Sequence, residues 1–368
     1  MFKHPKRPTE PSIARYYRGA RSVHLERLAT FKAGDFLYFK PMYDFDEVLA
    51  AQLPHVERVR FRQVLWRVLR RQYDVLELAE PYTPSALPQN LAITIASHVS
   101  MVGGTPTRLV TYAIENADLP AKLAIKSRLP VAIVRPVVKA LVGFCFNRMD
   151  RVVFGTEAAR DNYAALLGTK RLTETPPDHT LIWGLPTQEP TIPLDRPGTR
   201  LVFLGALDAR KGITNLMGVW DSVLERVPGA DLVILGKGPF EEQVRSWAAG
   251  RPTVQFHVDP PRPVIRDHLS AAKALFMLSQ PSPLWKEQIG LPILEGLSFG
   301  LEIVASDETG IANWLIEHGH GVLDPESPDQ MLIDAVVRAL ESDRSPSEVA
   351  DDLPHLDGRL EADHWLYP

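Results

Sequence analysis

Short apolar runs alternate with amphipathic stretches along the second half of the chain. Runs such as Asp231–Gly236 and Ala274–Leu278 are separated by segments with helical spacing, such as Ile213–Val227. Because strands buried on both faces read as short apolar runs, this repeat predicts a doubly wound parallel sheet. The predicted strands are Arg200–Gly205, Asp231–Gly236, Thr253–Phe256, Ala274–Leu278, Glu302–Ala305 and Gly321–Leu323, and the predicted helices are Ile213–Val227, Phe240–Ala249, Pro263–Ala272, Leu291–Phe299 and Asp329–Leu340.

The first half shows a less regular pattern of the same kind. The predicted strands are Asp35–Lys40, Arg58–Phe61, Asp74–Leu78, Arg108–Ala113 and Arg151–Phe154, and the predicted helices are Phe45–Leu53, Arg62–Arg71, Leu91–Val102, Val131–Asn147 and Glu157–Leu167. Residues 1–34 and 342–368 carry no pattern that predicts an element.

A proline-rich segment separates the two halves. Four prolines lie within Pro186–Pro197, which excludes a helix or a central strand there and predicts a linker. We therefore expect an α/β protein with two Rossmann-like, doubly wound domains that face each other across a ligand-binding cleft. The predicted domains are 1–185 and 198–341, followed by an acidic tail, 342–368, whose final aromatic residues favour docking back on the first domain.

Composition and charge refine this picture. The 368 residues are 45% hydrophobic and 23% charged, which is typical of a globular protein. The net charge of −4 divides into +9 over residues 1–150 and −13 over the remainder. A basic domain attracts anionic partners, so the charge favours an anionic acceptor or surface rather than nucleic acid. Arginine outnumbers lysine 29 to 12, which favours a GC-rich bacterial source.

Several protein classes are disfavoured by individual segments. The single cysteine, Cys145, excludes an internal disulfide and any multi-cysteine metal site. No apolar stretch of a signal peptide follows the first basic residues. The longest apolar run, Leu129–Asn147, contains Arg135 and Lys139 and is a poor membrane span. We therefore expect a cytoplasmic protein, with peripheral contact to the inner face of the membrane as an open alternative.

The most specific segment begins at Trp285 and ends at Ser306. Glu287 precedes a Gly290-Leu291-Pro292 turn that opens a helix, and Glu295 lies one turn inside it. Proline suits the first helical turn, where its missing N–H costs nothing. Two carboxylates flanking the positive end of a helix dipole can hold a polyol, a phosphate and a second polyol in a row.

This segment resembles the E-x7-E motif of retaining glycosyltransferases of family 4, which have the GT-B fold. Arg200–Gly212 is similar to the family's first strand with its K-G loop, Leu232–Phe240 to its strand ending in G-x-G-P, and Val304–Gly310 to its closing loop. The resemblance extends from Leu201 to about Leu340.

The resemblance implies a role for each matching residue. Glu287 would contact hydroxyls of the donor sugar, Glu295 the nucleotide ribose, and Lys211 the donor diphosphate. A fixed cation beside a diphosphate leaving group stabilises the charge that develops on it, so the site is expected to need neither a metal nor a cofactor. The remaining donor-binding positions implied by the resemblance are Gly205, Arg210, Gly290, Leu291, Gly236, Gly238 and His257.

The chain also departs from the family pattern. Ala206 occupies the position of a second diphosphate-binding arginine, for which the neighbouring Arg210 is a candidate substitute. The stretch Lys40–Asp46 lacks the usual glycine pair. Where many relatives have a histidine, Glu115 is the nearest candidate for an acceptor-side catalytic group, with helix capping or solvation as its equal alternative.

A basic helix face leaves two interpretations open. If residues 127–147 are helical, Arg128, Arg135 and Lys139 project within about 40° of one another. Such a face can meet anionic lipid or a phosphorylated acceptor, or it can simply be solvated.

The predicted function is transfer of a sugar from a nucleotide-diphosphate sugar to a hydroxyl or amine acceptor, with retention of configuration. Bacterial surface glycans and secondary metabolites are the expected products, and the acceptor is expected to be anionic or linked to a membrane. Two alternatives remain, a nucleotide-sugar epimerase on the same fold and a catalytically silent binding or scaffold protein, for which Ala206 and the absent glycine pair argue.

Overall fold

The computed structural model describes residues 11–42, 45–99, 105–174, 177–192 and 198–367. Residues 1–10 and residues 193–197 of the predicted linker lie outside these ranges. The chain forms two compact units, each built on one sheet. The first domain comprises Met1–Gly155, Ala159–Trp183 and Arg359–Pro368, and the second comprises Thr156–Ala158 and Gly184–Gly358.

The first domain alternates strands and helices. Its strands are β1 (Ile13–Ala20), β2 (Asp35–Pro41), β3 (Val56–Arg58), β4 (Val75–Ala79), β5 (Arg108–Ala113), β6 (Arg151–Phe154) and β7 (Asp178–Leu181). Its helices are α1 (Ser22–Leu28), α2 (Glu47–Gln52), α3 (Phe61–Leu69), α4 (Leu87–His98), α5 (Leu119–Ser127), α6 (Val131–Phe146), α7 (Glu157–Leu167), α8 (Thr169–Glu174) and the last helix of the chain, α16 (Gly358–Leu366).

The second domain repeats the pattern with six strands. They are β8 (Arg200–Leu204), β9 (Asp231–Leu235), β10 (Val254–His257), β11 (Ala274–Met277), β12 (Glu302–Ser306) and β13 (Gly321–Leu323). The helices are α9 (Ile213–Arg226), α10 (Glu241–Ala249), α11 (Arg262–Ser270), α12 (Leu291–Ser298), α13 (Ala312–Glu317), α14 (Asp329–Leu340) and α15 (Pro346–Ala350).

Both sheets are parallel and change winding direction once. The first has the order β3-β2-β1-β4-β5-β6-β7 and the second β10-β9-β8-β11-β12-β13. The chain winds outward in one direction from β1 and β8, and in the other from β4 and β11. The carboxyl ends of the two strands that flank such a switch point form the usual ligand site of the fold. The prediction of two Rossmann-like domains is confirmed.

The principal element missed in the sequence is β1, which lies near the centre of the first sheet. It contains Arg15, whose side chain is only 2% exposed. A charged residue in a buried strand hides the apolar run that predicts one, and its burial is explained only by partners from distant segments. These partners are Glu77 on β4 and Asp363 on α16.

A buried charge cluster attaches α16 to the first sheet. Arg15 Nη2 lies 2.5 Å from Asp363 Oδ1, and Arg15 Nε lies 3.5 Å from Glu77 Oε2. Arg359 Nη2 lies 3.5 Å from Glu77 Oε1, and Tyr367 donates its hydroxyl to Glu77 Oε2 at 2.8 Å. The last nine described residues therefore belong to the fold of the first domain, although about 170 residues separate them from its other parts.

The two arginines of the cluster determine the direction in which the pKa of Glu77 is shifted. Burial by itself would raise the pKa of this carboxyl group, but Arg359 and Arg15 lower it below its ordinary value, assisted by hydroxyl groups of Tyr17 and Tyr367. Glu77 is therefore ionised and paired. Removal of one member of the cluster would leave an uncompensated buried charge, which is strongly destabilising.

We predict that Arg15→Met lowers the free energy of unfolding by about 3–5 kcal/mol, because it leaves Glu77 and Asp363 with fewer cationic partners. Chemical denaturation measures the change. Arg226→Met is the matched control, since the Arg226–Asp334 pair is solvent-exposed and its loss should leave stability close to that of the wild type. Equal stability of the two variants would contradict this account of the cluster.

Candidate active site

The candidate site lies at the carboxyl ends of β8 and β11, the switch point of the second sheet. The loop after β8 passes through one turn of 3-10 helix, Ala209–Lys211, before α9 begins. Gly212, at φ +73°, crosses so close to the end of β11 that an added Cβ would collide with the carbonyl oxygen of Leu278. Glycine is therefore required there, both by φ and by space.

This close crossing places Lys211 beside the loop that follows β11. Lys211 Nζ forms an ion pair with Glu287 Oε2 and lies 4.0 Å from Met277 Sδ. The side chains of both charged residues are 13% exposed, so the pair is largely shielded from water. The Ser279 hydroxyl lies 3.4 Å from the same Glu287 oxygen. Two predicted catalytic residues that are 76 positions apart thus meet.

The indole of Trp285 connects two cations at this site. The Arg210 guanidinium lies 4.9 Å from the ring centroid and Lys211 Nζ lies 5.0 Å from it. Arg210 also pairs with Asp208 at 2.6 Å. Neither Trp285 nor Ser279 was predicted as a site residue from the sequence. Their nearness in sequence to the E-x7-E segment was the signal that could have identified them. Their contacts with Lys211 and Arg210 could not be predicted, because these depend on how the loop after β8 folds.

Helix α12 begins at this edge of the sheet. Gly290 (φ +93°) precedes it, no side chain caps this end, and Pro292 lies in the first turn. Leu291, the first helical residue, is exposed. An uncapped helix N-terminus presents backbone N–H groups and the positive end of the dipole. One turn further on, Glu295 accepts a hydrogen bond from Arg262 Nη1 at 2.7 Å.

The other predicted glycines serve close backbone packing. A Cβ on Gly205 would lie 3.9 Å from Pro292, which places the end of β8 beside the first turn of α12. A Cβ on Gly236 would collide with the carbonyl oxygen of Gly205, and one on Gly238 would lie 2.6 Å from that of Leu207. The loops after β8 and β9 therefore pack backbone against backbone at the same edge.

His257 ends β10 at the side of this cluster. Its carbonyl oxygen accepts the N–H of Gly236 at 3.1 Å, and its ring centroid lies 4.7 Å from that of His268. Its buried Nε2 has no hydrogen-bond partner among the described residues. The backbone and ring of His257 therefore lie at the carboxyl end of β10. In the sheet order, β10 is two strands away from β8, which Lys211 follows.

Glu115 lies in the first domain, in the loop after β5. It is 6% exposed, and its Oε1 lies 3.0 Å from Lys122 Nζ and accepts the N–H of Ala117 at 3.2 Å. Its own N–H and that of Ile114 donate to Glu80 Oε1 at 2.7 and 2.8 Å. These partners indicate that Glu115 organises the start of α5.

The neighbouring carboxyl group of Glu80 has an unusual proton affinity. Burial, and secondly the charge of Glu115, raise the pKa of Glu80 to about 8 from its ordinary value of 4.5. The folded domain therefore binds a proton that the unfolded chain releases between these two pH values. The proton that Glu80 binds therefore stabilises the folded domain. This stabilisation is fully present below pH 4.5 and is lost as the pH rises through about 8.

We predict that Glu80→Gln removes this pH dependence. An amide oxygen still accepts the two backbone N–H groups but carries no charge, so the variant should gain stability relative to the wild type as the pH increases. Denaturation at about pH 5 and about pH 8 measures the difference. The exposed Glu57→Gln is the control, and a wild-type-like pH profile of Glu80→Gln would refute the assignment.

The described parts of the chain hold no group of three or more histidine, cysteine or acidic residues arranged for a metal ion. Within those same ranges, no helix is long and apolar enough to cross a membrane.

The second domain is similar in sequence to a family of known enzymes. Residues 188–352 match the family model of glycosyl transferases group 1. A phosphatidyl-myo-inositol mannosyltransferase of Mycobacterium leprae is 25% identical over 315 residues, which are 82% of this chain and 76% of that protein.

Solved structures agree over nearly the whole chain. The lipopolysaccharide outer core galactosyltransferase WaaB matches with a TM-score of 0.66 at 12% identity, covering 96% of this chain and 98% of that one. Anabaena HepE, solved in complex with UDP and glucose, matches with a TM-score of 0.59 at 14% identity and covers 97% of this chain and 96% of its own. The chain has the GT-B fold, and the family match supports a glycosyltransferase of this class.

Proposed function

We propose that the protein transfers a sugar from a nucleotide-diphosphate sugar to a hydroxyl or amine acceptor, with retention of the anomeric configuration. The observation that carries this proposal is the meeting of Lys211 and Glu287 beside the uncapped start of α12. These groups match the parts of a nucleotide-diphosphate sugar. The carboxylate suits the hydroxyls of the sugar, and the cation and the helix N-terminus suit the diphosphate. HepE, which shares the fold, was solved with UDP and glucose bound.

Lys211 supplies the charge that the leaving group requires. When the bond between the sugar and the diphosphate breaks, negative charge grows on the diphosphate oxygens, and a cation already in place stabilises it without reorganisation. The ion pair with Glu287 and the indole of Trp285 hold the flexible lysine side chain in position. Glu287 therefore orients Lys211 as well as offering its carboxylate to hydroxyls of the donor sugar.

The start of α12 and Glu295 extend the site toward the nucleotide. Backbone N–H groups in the first turn favour phosphate oxygens, and the Glu295 carboxylate accepts hydrogen bonds from ribose hydroxyls. Arg262 forms an ion pair with that carboxylate.

Arg210 is the proposed substitute for the arginine that the family has at the position of Ala206. It lies against the same indole as Lys211, and its guanidinium is about half exposed. Exchange of Asp208 for a phosphate oxygen would bring a second cation to the diphosphate. This supports an active transferase rather than a silent binding protein.

The acceptor is proposed to be anionic and membrane-linked. The first 150 residues carry a net charge of +9, which favours an anionic acceptor by electrostatic attraction. The name of the Mycobacterium leprae relative specifies phosphatidyl-myo-inositol, an anionic lipid, and we extend only that chemical class to this protein. Cytoplasmic action at the inner face of a bacterial membrane is part of the same proposal.

We predict that Lys211→Met weakens binding of UDP or GDP roughly 10- to 100-fold, because it removes one charge-assisted hydrogen bond. Calorimetry with the nucleoside diphosphate and with the uncharged nucleoside separates the contributions. Lys211→Met should leave nucleoside binding unchanged, whereas Glu295→Ala should weaken both ligands.

Lys273→Met is the matched control for this experiment, since Lys273 directly precedes β11 and so lies at the edge of the sheet opposite the site. The proposal fails if no nucleotide sugar binds the wild type more tightly than it binds the Lys211→Met, Glu295→Ala double variant.

Retention is tested on the sugar that is released. With water as a slow surrogate acceptor, an α-linked nucleotide sugar should first release the α-anomer, which proton NMR distinguishes before mutarotation. Initial release of the β-anomer would exclude a retaining reaction. Conversion of the donor alone into an epimeric nucleotide sugar would instead support the epimerase.

A further inference from the structure

The segment joining α5 and α6 in the first domain combines charge and exposed apolar surface in an unusual way. Between Asp118 and Asp150 the chain has six lysines and arginines and no acidic residue. The nine residues from Ile125 to Ile133 are all exposed. Glu115 contacts only the start of α5, through the buried Lys122.

The structure divides what the sequence predicted as one helical face. Helix α5 ends at Ser127, and Arg128 takes a left-handed conformation at φ +58°. The N–H of Arg128 donates to Ile125 and that of Leu129 to Ala124, the hydrogen-bond pattern in which glycine is favoured at the left-handed position. An arginine is less favourable there than glycine, yet it places a cation at the tip of the turn.

An apolar stripe continues from this turn along α6. Ile133, Val137 and Leu141 follow one another at four-residue spacing and are 57%, 56% and 36% exposed. They span about 80° of the helix circumference, because each four-residue step advances 40°. The adjoining arc of α6 packs into the core through Val134, Val138, Val142 and Cys145. Before the helix, Ile125 and Leu129 are also about half exposed.

Three cations lie in the same segment, of which Lys139 projects about 120° to 160° around α6 from the stripe, at the edge of the exposed arc. Lys126, Arg128 and Lys139 are exposed and have no ion-pair partner among the described residues. Arg135 differs, since its guanidinium lies 2.9 Å from Asp118 and is thereby neutralised.

We propose that this surface, defined by Ile125, Lys126, Arg128, Leu129, Ile133, Val137, Lys139 and Leu141, docks on an anionic lipid bilayer. Exposed aliphatic side chains with uncompensated cations match the boundary between acyl chains and acidic headgroups, where both gain free energy. A second copy of the chain would bring like-charged surfaces together, which disfavours a symmetric dimer.

This inference deepens the proposed function on the acceptor side, because a docked first domain would meet a lipid-linked acceptor at the membrane. The test measures vesicle binding in the absence of a nucleotide sugar. A negative result would therefore disprove membrane docking without bearing on the proposed transfer reaction.

The experiment is flotation of the full-length protein with vesicles of phosphatidylcholine, alone or with about 30% phosphatidylglycerol. We expect flotation only with the anionic vesicles, and release as the salt concentration rises. A triple variant that removes the cations, Lys126→Gln with Arg128→Gly and Lys139→Gln, should reduce the partition constant about fivefold per cation. A double variant of the stripe, Ile133→Ser with Val137→Ser, should reduce it about tenfold per residue.

Matched controls separate this surface from general charge and exposure. The first control is a triple variant, Lys32→Gln with Lys40→Gln and Arg62→Gln, which changes the net charge by the same amount elsewhere in the first domain. The second control is Ile316→Ser, which replaces an aliphatic residue of similar exposure, 58%, in the second domain. Both should float like the wild type. Arg128→Gly preserves the turn, so thermal melts should show that the cation variant remains folded.

Two outcomes would overturn the proposal. One is that the wild type does not float with anionic vesicles, or that both surface variants float as well as it does. The other is a concentration-dependent dimer in light scattering that Ile133→Ser, Val137→Ser abolishes without any vesicle binding, which would identify a second copy as the occupant.

Discussion

The candidate site depends on one close crossing, where Gly212 passes over the carbonyl group of Leu278. This contact brings the loop after β8 against the end of β11 and thereby places Lys211 beside Glu287. A third loop supports the arrangement, because Thr309 after β12 bridges to Glu287 and donates its hydroxyl to the Ile289 carbonyl at 2.6 Å. Three loops from neighbouring strands thus hold one ion pair, which explains how a long lysine side chain can be kept in one position.

Charge is used differently in the two domains. In the second, which carries the acidic excess, the important cations are each held by a carboxylate and an indole, as Lys211 and Arg210 are around Trp285. In the first, the cations of the α5–α6 surface have no acidic partner among the described residues. Paired cations suit a small ligand that must be bound in one geometry, whereas unpaired exposed cations suit a broad anionic surface.

Much of the second domain was predictable from the sequence because its strands are buried on both faces. Apolar runs such as Asp231–Gly236 then coincide with strands, and the E-x7-E segment marks the switch point. The first domain was less predictable, since β1 contains a buried arginine whose partners lie about 60 and 350 residues away. The contact of Glu115 with Lys122 could not be predicted from the sequence, because no helix was predicted where α5 lies.

The sequence by itself determined the two Rossmann-like domains and the positions of Lys211, Glu287 and Glu295, because hydrophobic periodicity and loop motifs are local properties of the chain. Only the tertiary structure decided that Trp285 lies between two cations, that α16 completes the first domain, and that Arg128 caps a turn. The physical reason is that ion pairs, ring contacts and burial join residues far apart in the chain, and no local pattern records which distant partner compensates a charge.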